Sequence, residues 1–130
     1  MAITSYNAKD CAITWDNTTI TGLGEDMVTG EKDEEFFEPA VGAQGDVVVN
    51  EKNDPLGTVT LTLQATSPHY NRLIADAKAG KIAPLWIKNK SLNRSFGGNS
   101  ARIKNYPEQE LSNEASDGEF EFAVFDYTVQ

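Results

Sequence analysis

The chain has 130 residues, of which 39% are hydrophobic and 24% are charged, and this composition is typical of one globular domain. Its formal net charge of −9, from 11 basic and 20 acidic side chains, argues against a protein that grips nucleic-acid phosphates through clustered Lys and Arg. The single cysteine, Cys11, excludes an intrachain disulfide and a cysteine-rich zinc site.

Targeting patterns exclude further classes. The sequence does not begin with the charged, apolar and small-residue pattern of a secretory signal peptide. No apolar run approaches the roughly 18 residues that a membrane helix needs. We therefore expect a soluble chain that is synthesised in a cytoplasm and has no membrane anchor.

The charges are grouped along the chain. Residues 1–71 carry 3 basic and 12 acidic side chains, residues 72–104 carry 8 basic and 1 acidic, and residues 105–130 carry no basic and 7 acidic side chains. Such blocks are typical of charge complementarity, either between copies of the chain or between segments of one folded subunit. The sequence leaves both possibilities open.

Alternating side chains predict a hairpin near the beginning of the chain. Cys11, Ile13 and Trp15 share one face of a first strand, Asp16-Asn17 forms a turn, and residues 18–23 form a second strand.

Residues 24–44 are predicted to form a long protruding loop, rich in acidic side chains and containing two adjacent phenylalanines. Exposed aromatic side chains favour contact with another chain, although one phenylalanine could instead cover the domain's own core. The candidate contact residues are Glu31, Asp33, Glu34, Glu35, Phe36, Phe37 and Glu38.

The clearest strand pattern follows over residues 56–66, after a short strand at residues 46–50. One face of this strand carries Val59, Leu61, Leu63 and Ala65, and the opposite face carries Thr58, Thr60, Thr62 and Gln64. The first face is predicted to be buried, and the second is a surface of neutral polar groups.

One amphipathic helix is predicted next. Ser67 provides an N-cap, Pro68 occupies the first helical position, and Gly80 ends the helix. The apolar residues at helical spacing are Tyr70, Leu73, Ile74 and Ala77.

Three further strand patterns cover residues 82–90, 101–105 and 118–129. With about seven strands and one helix, the chain is predicted to be mainly β, an antiparallel β-sandwich or barrel with one flanking α-helix. We expect residues 1–130 to form a single domain.

Catalytic chemistry is sparse. The only histidine, His69, lies at the first turn of the helix, and Cys11 lies on an apolar strand face, so neither is expected to act as a catalytic group. The acidic run at residues 33–35 lacks the spacing of an EF-hand loop. We predict no enzyme activity, no cofactor and no metal.

The order of several short segments resembles one family over essentially the whole chain. These segments are Tyr6-Asn7-Ala8-Lys9-Asp10, residues 22–32 (GLGEDMVTGEK), 41–48 (VGAQGDVV), 62–68 (TLQATSP) and 124–129 (VFDYTV). They resemble the inner tail tube proteins of contractile-tailed bacteriophages, which are similar to the tube proteins of type VI secretion.

The resemblance implies a structural virion protein of the phage tail. Six copies would form a ring, and rings would stack into a tube that holds the tape measure protein, lies inside the sheath and joins the baseplate and a tail terminator. Double-stranded DNA would pass through without specific binding. The segment from Glu31 to Gln44 would reach the next ring, and the threonine face would line the channel or the surface beneath the sheath.

A second hypothesis is a monomeric β-sandwich that binds a small ligand or a carbohydrate. It predicts a concave apolar pocket with convergent polar groups within one subunit.

Overall fold

Antiparallel β-strands are the main secondary structure of the protein. A computed structural model describes residues 2–130, and in this part of the chain ten strands and one α-helix follow a short 3-10 turn at Ala8–Asp10. The elements are β1 (Cys11–Trp15), β2 (Thr18–Thr19), β3 (Leu23–Lys32), β4 (Phe37–Val41), β5 (Val47–Glu51), β6 (Gly57–Leu63), α1 (Tyr70–Ala79), β7 (Ile82–Asn89), β8 (Arg94–Ile103), β9 (Gly118–Val124) and β10 (Thr128–Val129).

Eight strands form one antiparallel sheet that curls around a single core. The strand order is β2-β1-β7-β8-β9-β6-β3, and β10 pairs with β8. The rings of Trp15 on β1 and Phe122 on β9 have centroids 5.1 Å apart, although two strands separate β1 from β9 in the sheet. The inner faces of distant strands therefore meet, and the predicted mainly β fold with one helix is confirmed.

The core is formed by alternate residues, as the sequence predicted for the clearest strand. Val59, Leu61 and Leu63 on β6 are fully buried, and so are Phe120 and Phe122 on β9. Ala65, which was predicted on the same buried face, is exposed because β6 ends at Leu63. β6 is shorter than its sequence pattern because its pairing with β9 ends at Leu63 opposite Gly118, and beyond it the amide of Gln64 donates to the carbonyl of Gly22.

The helix begins two residues later than predicted, at Tyr70 instead of Pro68. The hydroxyl of Ser67 donates to the carbonyl of Thr21 at 2.6 Å, so this side chain joins the turn to the sheet, and α1 begins at Tyr70. The ring of Tyr70 packs edge-on against Phe120, with centroids 5.2 Å apart. Gly80 ends the helix in the left-handed conformation, as predicted.

The predicted second strand over residues 18–23 and final strand over residues 118–129 are each divided. β2 has only two residues, and β3 begins after Gly22, whose φ is +74°. Near the end of the chain, the carboxylate of Asp126 accepts hydrogen bonds from the amides of Asn99 and Ser100, which separates β9 from β10. The alternation of apolar residues predicts two continuous strands, whereas local backbone geometry and hydrogen bonds divide each of them in the structure.

The long loop predicted over residues 24–44 is wrong in its secondary structure. Its first part is β3, an edge strand that pairs with β6, and its last part is β4, which pairs with β5 in a two-stranded hairpin. A strand at the sheet edge with one face in water accommodates acidic side chains, so the composition concealed the pairing. A register shift between Leu23 and Val28 further breaks the alternation that identifies a strand.

Candidate interaction surfaces

The β4–β5 hairpin is exposed along its whole length. All ten residues of the two strands are exposed, and the two strands pair only with each other within residues 2–130. Phe37, Pro39 and Val41 lie opposite Glu51, Val49 and Val47, respectively. Paired residues share a face, so this face carries Glu51 beside five apolar residues, which we call the apolar hairpin face: Phe37, Pro39, Val41, Val47 and Val49. The hairpin therefore exposes an apolar surface that no other strand of residues 2–130 covers.

The two adjacent phenylalanines do not cover the domain's own core. Phe36 is 71% exposed and Phe37 is 48% exposed, and neither belongs to the buried cluster. The ammonium of Lys32 lies 5.1 Å from the centre of the Phe36 ring, a distance at which cation and ring attract each other. The alternative that one phenylalanine caps the core is therefore excluded.

The acidic candidates surround the base of the hairpin. Glu31 lies opposite Thr58 in the β3–β6 ladder, and Asp33 accepts a hydrogen bond from the Thr58 hydroxyl at 2.8 Å. Glu34 pairs with Lys52 at 3.2 Å and raises the pKa of that ammonium above its ordinary value. Glu38 lies 3.9 Å from the same ammonium, and Glu35 is exposed. Most of this negative charge faces water.

The two edges of the hairpin differ in their hydrogen-bonding groups. The amide of Lys52 donates to the carbonyl of Phe36, and the amide of Gly42 donates to the carbonyl of Asp46. In each strand, every second residue between these two pairs therefore directs its amide toward the other strand, and the remaining residues direct theirs toward the outer edge. Pro39 occupies one of the outward positions and has no N–H to donate. β5 therefore presents a continuous outer edge, whereas the outer edge of β4 is interrupted.

The predicted threonine face lies on the outside of the curled sheet. Thr58, Thr60 and Thr62 are half-buried on β6, and Gln64 is exposed directly after the strand. Thr60 lies opposite Glu121 and Thr62 lies opposite Glu119 on β9. The ammonium of Lys104 lies 3.3 Å from Glu121 and 3.2 Å from the Thr58 hydroxyl. With Glu31 on β3, this outer face bears more negative than positive charge.

The basic block of residues 72–104 is only partly paired within the subunit. Arg72 and Lys81 contact Asp16, and Lys104 contacts Glu121. Within residues 2–130, no carboxylate lies within 4.0 Å of the other five cations, Lys78, Lys88, Lys90, Arg94 and Arg102. Three of these five flank the turn between β7 and β8. We call Lys88, Lys90 and Arg94 the cationic turn. The sequence shows three cations within seven residues, but they were not recognised from it as one surface.

Cys11 and His69, the two candidate reactive groups, belong to no metal-binding cluster within residues 2–130. Cys11 is partly buried against the core, and burial raises the pKa of its thiol. His69 immediately precedes α1, and its carbonyl accepts the amide of Leu73. Within residues 2–130, no group of three or more His, Cys, Asp or Glu side chains is arranged to hold a metal ion.

A cavity of about 530 Å³ opens beside the register shift in β3. Cys11, Ile87 and Phe96 contribute apolar atoms to its lining, and Glu25 and Asp26 contribute carboxylates. Its size is within the range of small-molecule sites. It arises where β3 departs from regular pairing with β6, a tertiary feature that the sequence pattern did not predict.

No helix within residues 2–130 has both the length and the apolar character required to cross a membrane.

Solved structures share this fold, whereas no protein-family model and no curated protein sequence matches the chain. A chain in the cryo-EM structure of the PVC sheath/tube terminator, from an extracellular contractile injection system in its extended state, superposes with a TM-score of 0.70 at 10% identity. The alignment covers 100% of this chain and 99% of that one. A chain of the anti-feeding prophage tube-terminating cap gives 0.65 at 12% identity, covering 100% and 93%.

A chain in the virion of a native gene transfer agent particle gives a TM-score of 0.62 at 14% identity, covering 92% of this chain and 94% of that one. All three alignments extend over nearly the whole of both chains, and all three identities are far below the level at which sequence alone reveals kinship. The protein therefore has the fold of chains found in contractile injection systems and in a gene transfer agent particle.

Proposed function

We propose that the protein is a structural, non-enzymatic subunit that assembles with copies of itself into the inner tube of a contractile phage tail. The observation that carries the proposal is the β4–β5 hairpin, which exposes an entire apolar face outside the folded core. An isolated two-stranded hairpin is marginally stable in water, so a partner that covers this face would stabilise it. The shared fold with contractile injection system chains supports the same role.

Sheet edges provide the contacts within a proposed ring of six. β3 ends the main sheet on one side, and β2, at the other end, covers only two residues of β1. Unpaired strand edges are a hazard in a monomer, and pairing them with neighbouring copies removes that hazard. In the proposed ring, such pairing continues the sheets of the subunits around a channel.

The outer threonine face would line that channel. Glu119 and Glu121 lie beside Thr60 and Thr62, so the surface is polar and carries net negative charge. A negative wall repels the DNA backbone and allows it to slide, whereas a basic wall would hold it. The proposed partners are the tape measure protein inside the tube, the sheath outside it, and the baseplate and tail terminator at its ends. The proposed location is the virion tail, after synthesis in the host cytoplasm.

Electron microscopy of the purified protein tests the proposal. We expect rings or tubes with a central channel at high protein concentration, alone or with the sheath protein, and a concentration-dependent sedimentation coefficient. A protein that stays monomeric under every one of these conditions would contradict a tube role.

The cavity beside β3 supports a second candidate, a monomeric ligand-binding or carbohydrate-binding module. Its mixed lining of apolar atoms and carboxylates would suit a ligand with an apolar body and a positive group. Calorimetry with a panel of such ligands and neutral sugars distinguishes the candidates. Saturable binding to a monomer that never assembles favours this module over a tube subunit.

A further inference from the structure

The cationic turn forms no ion pair within residues 2–130. Lys88, Lys90 and Arg94 are exposed, and within residues 2–130 none of them has a carboxylate within 4.0 Å. The carboxylate of Asp10, which lies beside the turn, accepts a hydrogen bond from the hydroxyl of Ser91 at 2.6 Å. Glu25, Asp26 and Glu119 line the cavity beside Arg94 without contacting its guanidinium at ion-pair distance.

The turn is held in one conformation by its own polar groups. The side-chain oxygen of Asn89 accepts the amide of Leu92 at 3.0 Å, and the Ser91–Asp10 hydrogen bond joins the turn to the chain before β1. Asn93 has a φ of +50°, which Asn tolerates better than most residues. Cations on an ordered turn lose little conformational entropy on binding, so this surface is preorganised for a negatively charged partner.

The hairpin base has the opposite charge and the same layout. Glu34, Glu35 and Glu38 are exposed near the base of the hairpin, where Glu38 lies on the face opposite to Phe37 and Pro39, and Lys52 is the one cation that pairs with them within residues 2–130. On the turn, Leu92 is 49% exposed between the cations. Each surface thus combines an exposed apolar centre with a charged rim, and the two rims differ in sign, which is the arrangement of a complementary protein interface.

The two surfaces lie at opposite ends of β3 and do not meet within one subunit. Leu92 and Arg94 share the cavity with residues 25–28 at the beginning of β3, whereas the hairpin follows Lys32 at its end. No ion pair joins them within residues 2–130. A contact between two different surfaces of identical chains is head-to-tail, and repeating it produces a ring or an open filament rather than a two-fold dimer.

We propose that the cationic turn of one copy binds the acidic hairpin base of a second copy. The acidic rim is defined by Glu34, Glu35 and Glu38 at the hairpin base, and Leu92 packs against the exposed apolar side chains of the hairpin beside them. The inference deepens the proposed tube function and rests on it, because it names the two surfaces through which successive copies meet.

Charge reversal tests this contact in both directions. The hairpin variant carries Glu35→Lys and Glu38→Lys, which leaves the Glu34–Lys52 ion pair intact, and the turn variant carries Lys88→Glu and Lys90→Glu. All four side chains are exposed, so both variants should fold with the circular dichroism and melting temperature of the wild type. Each variant alone places like charges opposite each other. We expect the concentration for half-maximal tube formation to rise about tenfold or more.

Mixing the two variants provides the decisive measurement. In an equimolar mixture each contact again joins opposite charges, so alternating tubes should form at close to the wild-type concentration. A single chain carrying all four substitutions should also assemble. The matched controls are Glu108→Lys with Glu110→Lys, and Lys9→Glu with Lys78→Glu, which change the net charge equally at other exposed positions and should assemble like the wild type.

The outcomes separate the contact from the function. If the wild type assembles and both variants assemble equally well, or if the mixture fails to recover, the contact is wrong and the tube function stands. If the wild type itself never assembles, the tube function fails and the contact fails with it.

Discussion

The indole N–H of Trp15 on β1 donates a hydrogen bond to Oδ2 of Asp76 on α1, with 2.8 Å between the two heavy atoms. Trp15 is fully buried and packs edge-on against Phe122, so the bond connects the helix to the centre of the core. A buried indole N–H needs an acceptor, and the helix supplies a charged one.

Removing the acceptor should therefore destabilise the subunit. We expect Asp76→Ala to lower the free energy of unfolding by about 1–3 kcal/mol, because the buried indole N–H then loses its partner. Asp76→Asn keeps a side-chain oxygen and should cost less. Urea unfolding followed by Trp fluorescence measures both. Equal stability of Asp76→Ala and the wild type would mean that water or another group replaces the carboxylate.

Gly97 occupies a position on β8 that other residues cannot adopt without strain. Its φ is +135°, and an added Cβ would overlap the carbonyl oxygen of Leu85 on β7. We expect Gly97→Ala to lower the free energy of unfolding by about 2 kcal/mol or more. Gly45→Ala is the matched control, because Gly45 also has a positive φ but has open space around it. The difference in melting temperature between the two variants measures the cost of the overlap with Leu85. Equal decreases in melting temperature would show that backbone strain alone accounts for the effect and that the overlap is relieved.

Ionisation of Tyr127 should lower the free energy of unfolding at alkaline pH. Burial, with a smaller contribution from the charge of Glu31, raises the pKa of its phenol above the ordinary value. The folded state then holds the phenol proton more tightly than the unfolded state does. The resulting stabilisation is present below about pH 10 and is lost as the pH rises through the folded-state pKa.

Tyr127→Phe tests this dependence. We expect the variant to lose less stability than the wild type between pH 9 and pH 11 in urea titrations. Tyr6→Phe changes an exposed phenol near the beginning of the chain and serves as the control. Parallel pH curves for Tyr127→Phe and the wild type would show that Tyr127 does not carry the effect.

The phenylalanines at the hairpin should contribute to assembly rather than to folding. We expect Phe36→Ala with Phe37→Ala to leave the melting temperature of the isolated subunit nearly unchanged, because both side chains are exposed. Loss of a buried interface aromatic costs about 2 kcal/mol or more, so stacking should weaken at least thirtyfold. Sedimentation of tubes measures this, and Tyr106→Ala is a control at an exposed aromatic elsewhere. A large loss of subunit stability would instead assign the phenylalanines to the fold.

The parts of the fold that sequence predicts are those in which one strand or helix face is buried. Val59, Leu61 and Leu63 alternate with threonines, and the structure buries all three. Gly80 ends the helix where its left-handed conformation is needed. These features depend on neighbours along the chain, which is why a local pattern suffices to identify them.

The candidate surfaces were predicted less well because they depend on pairing between distant segments. Residues 24–44 contain acids, glycines and Pro39, a composition typical of loops, yet pairing with β5 and β6 makes most of them strand. The sequence favoured exposure of Phe36 and Phe37 but left open that one of them covers the core, and the structure exposes both. It could not reveal that the cationic turn lacks an internal partner, since that depends on which carboxylates the curled sheet brings near it.

Pro39 limits how far one hairpin can associate with another through the backbone. A ribbon with two open edges can add strands on both sides, and such growth is the first step toward an insoluble cross-β aggregate. Because Pro39 interrupts the β4 edge, only the β5 edge of each hairpin is free, and edge pairing between hairpins ends when two have met. The subunit can therefore expose a valine-rich hairpin at high concentration in the cell and still remain available for ordered assembly.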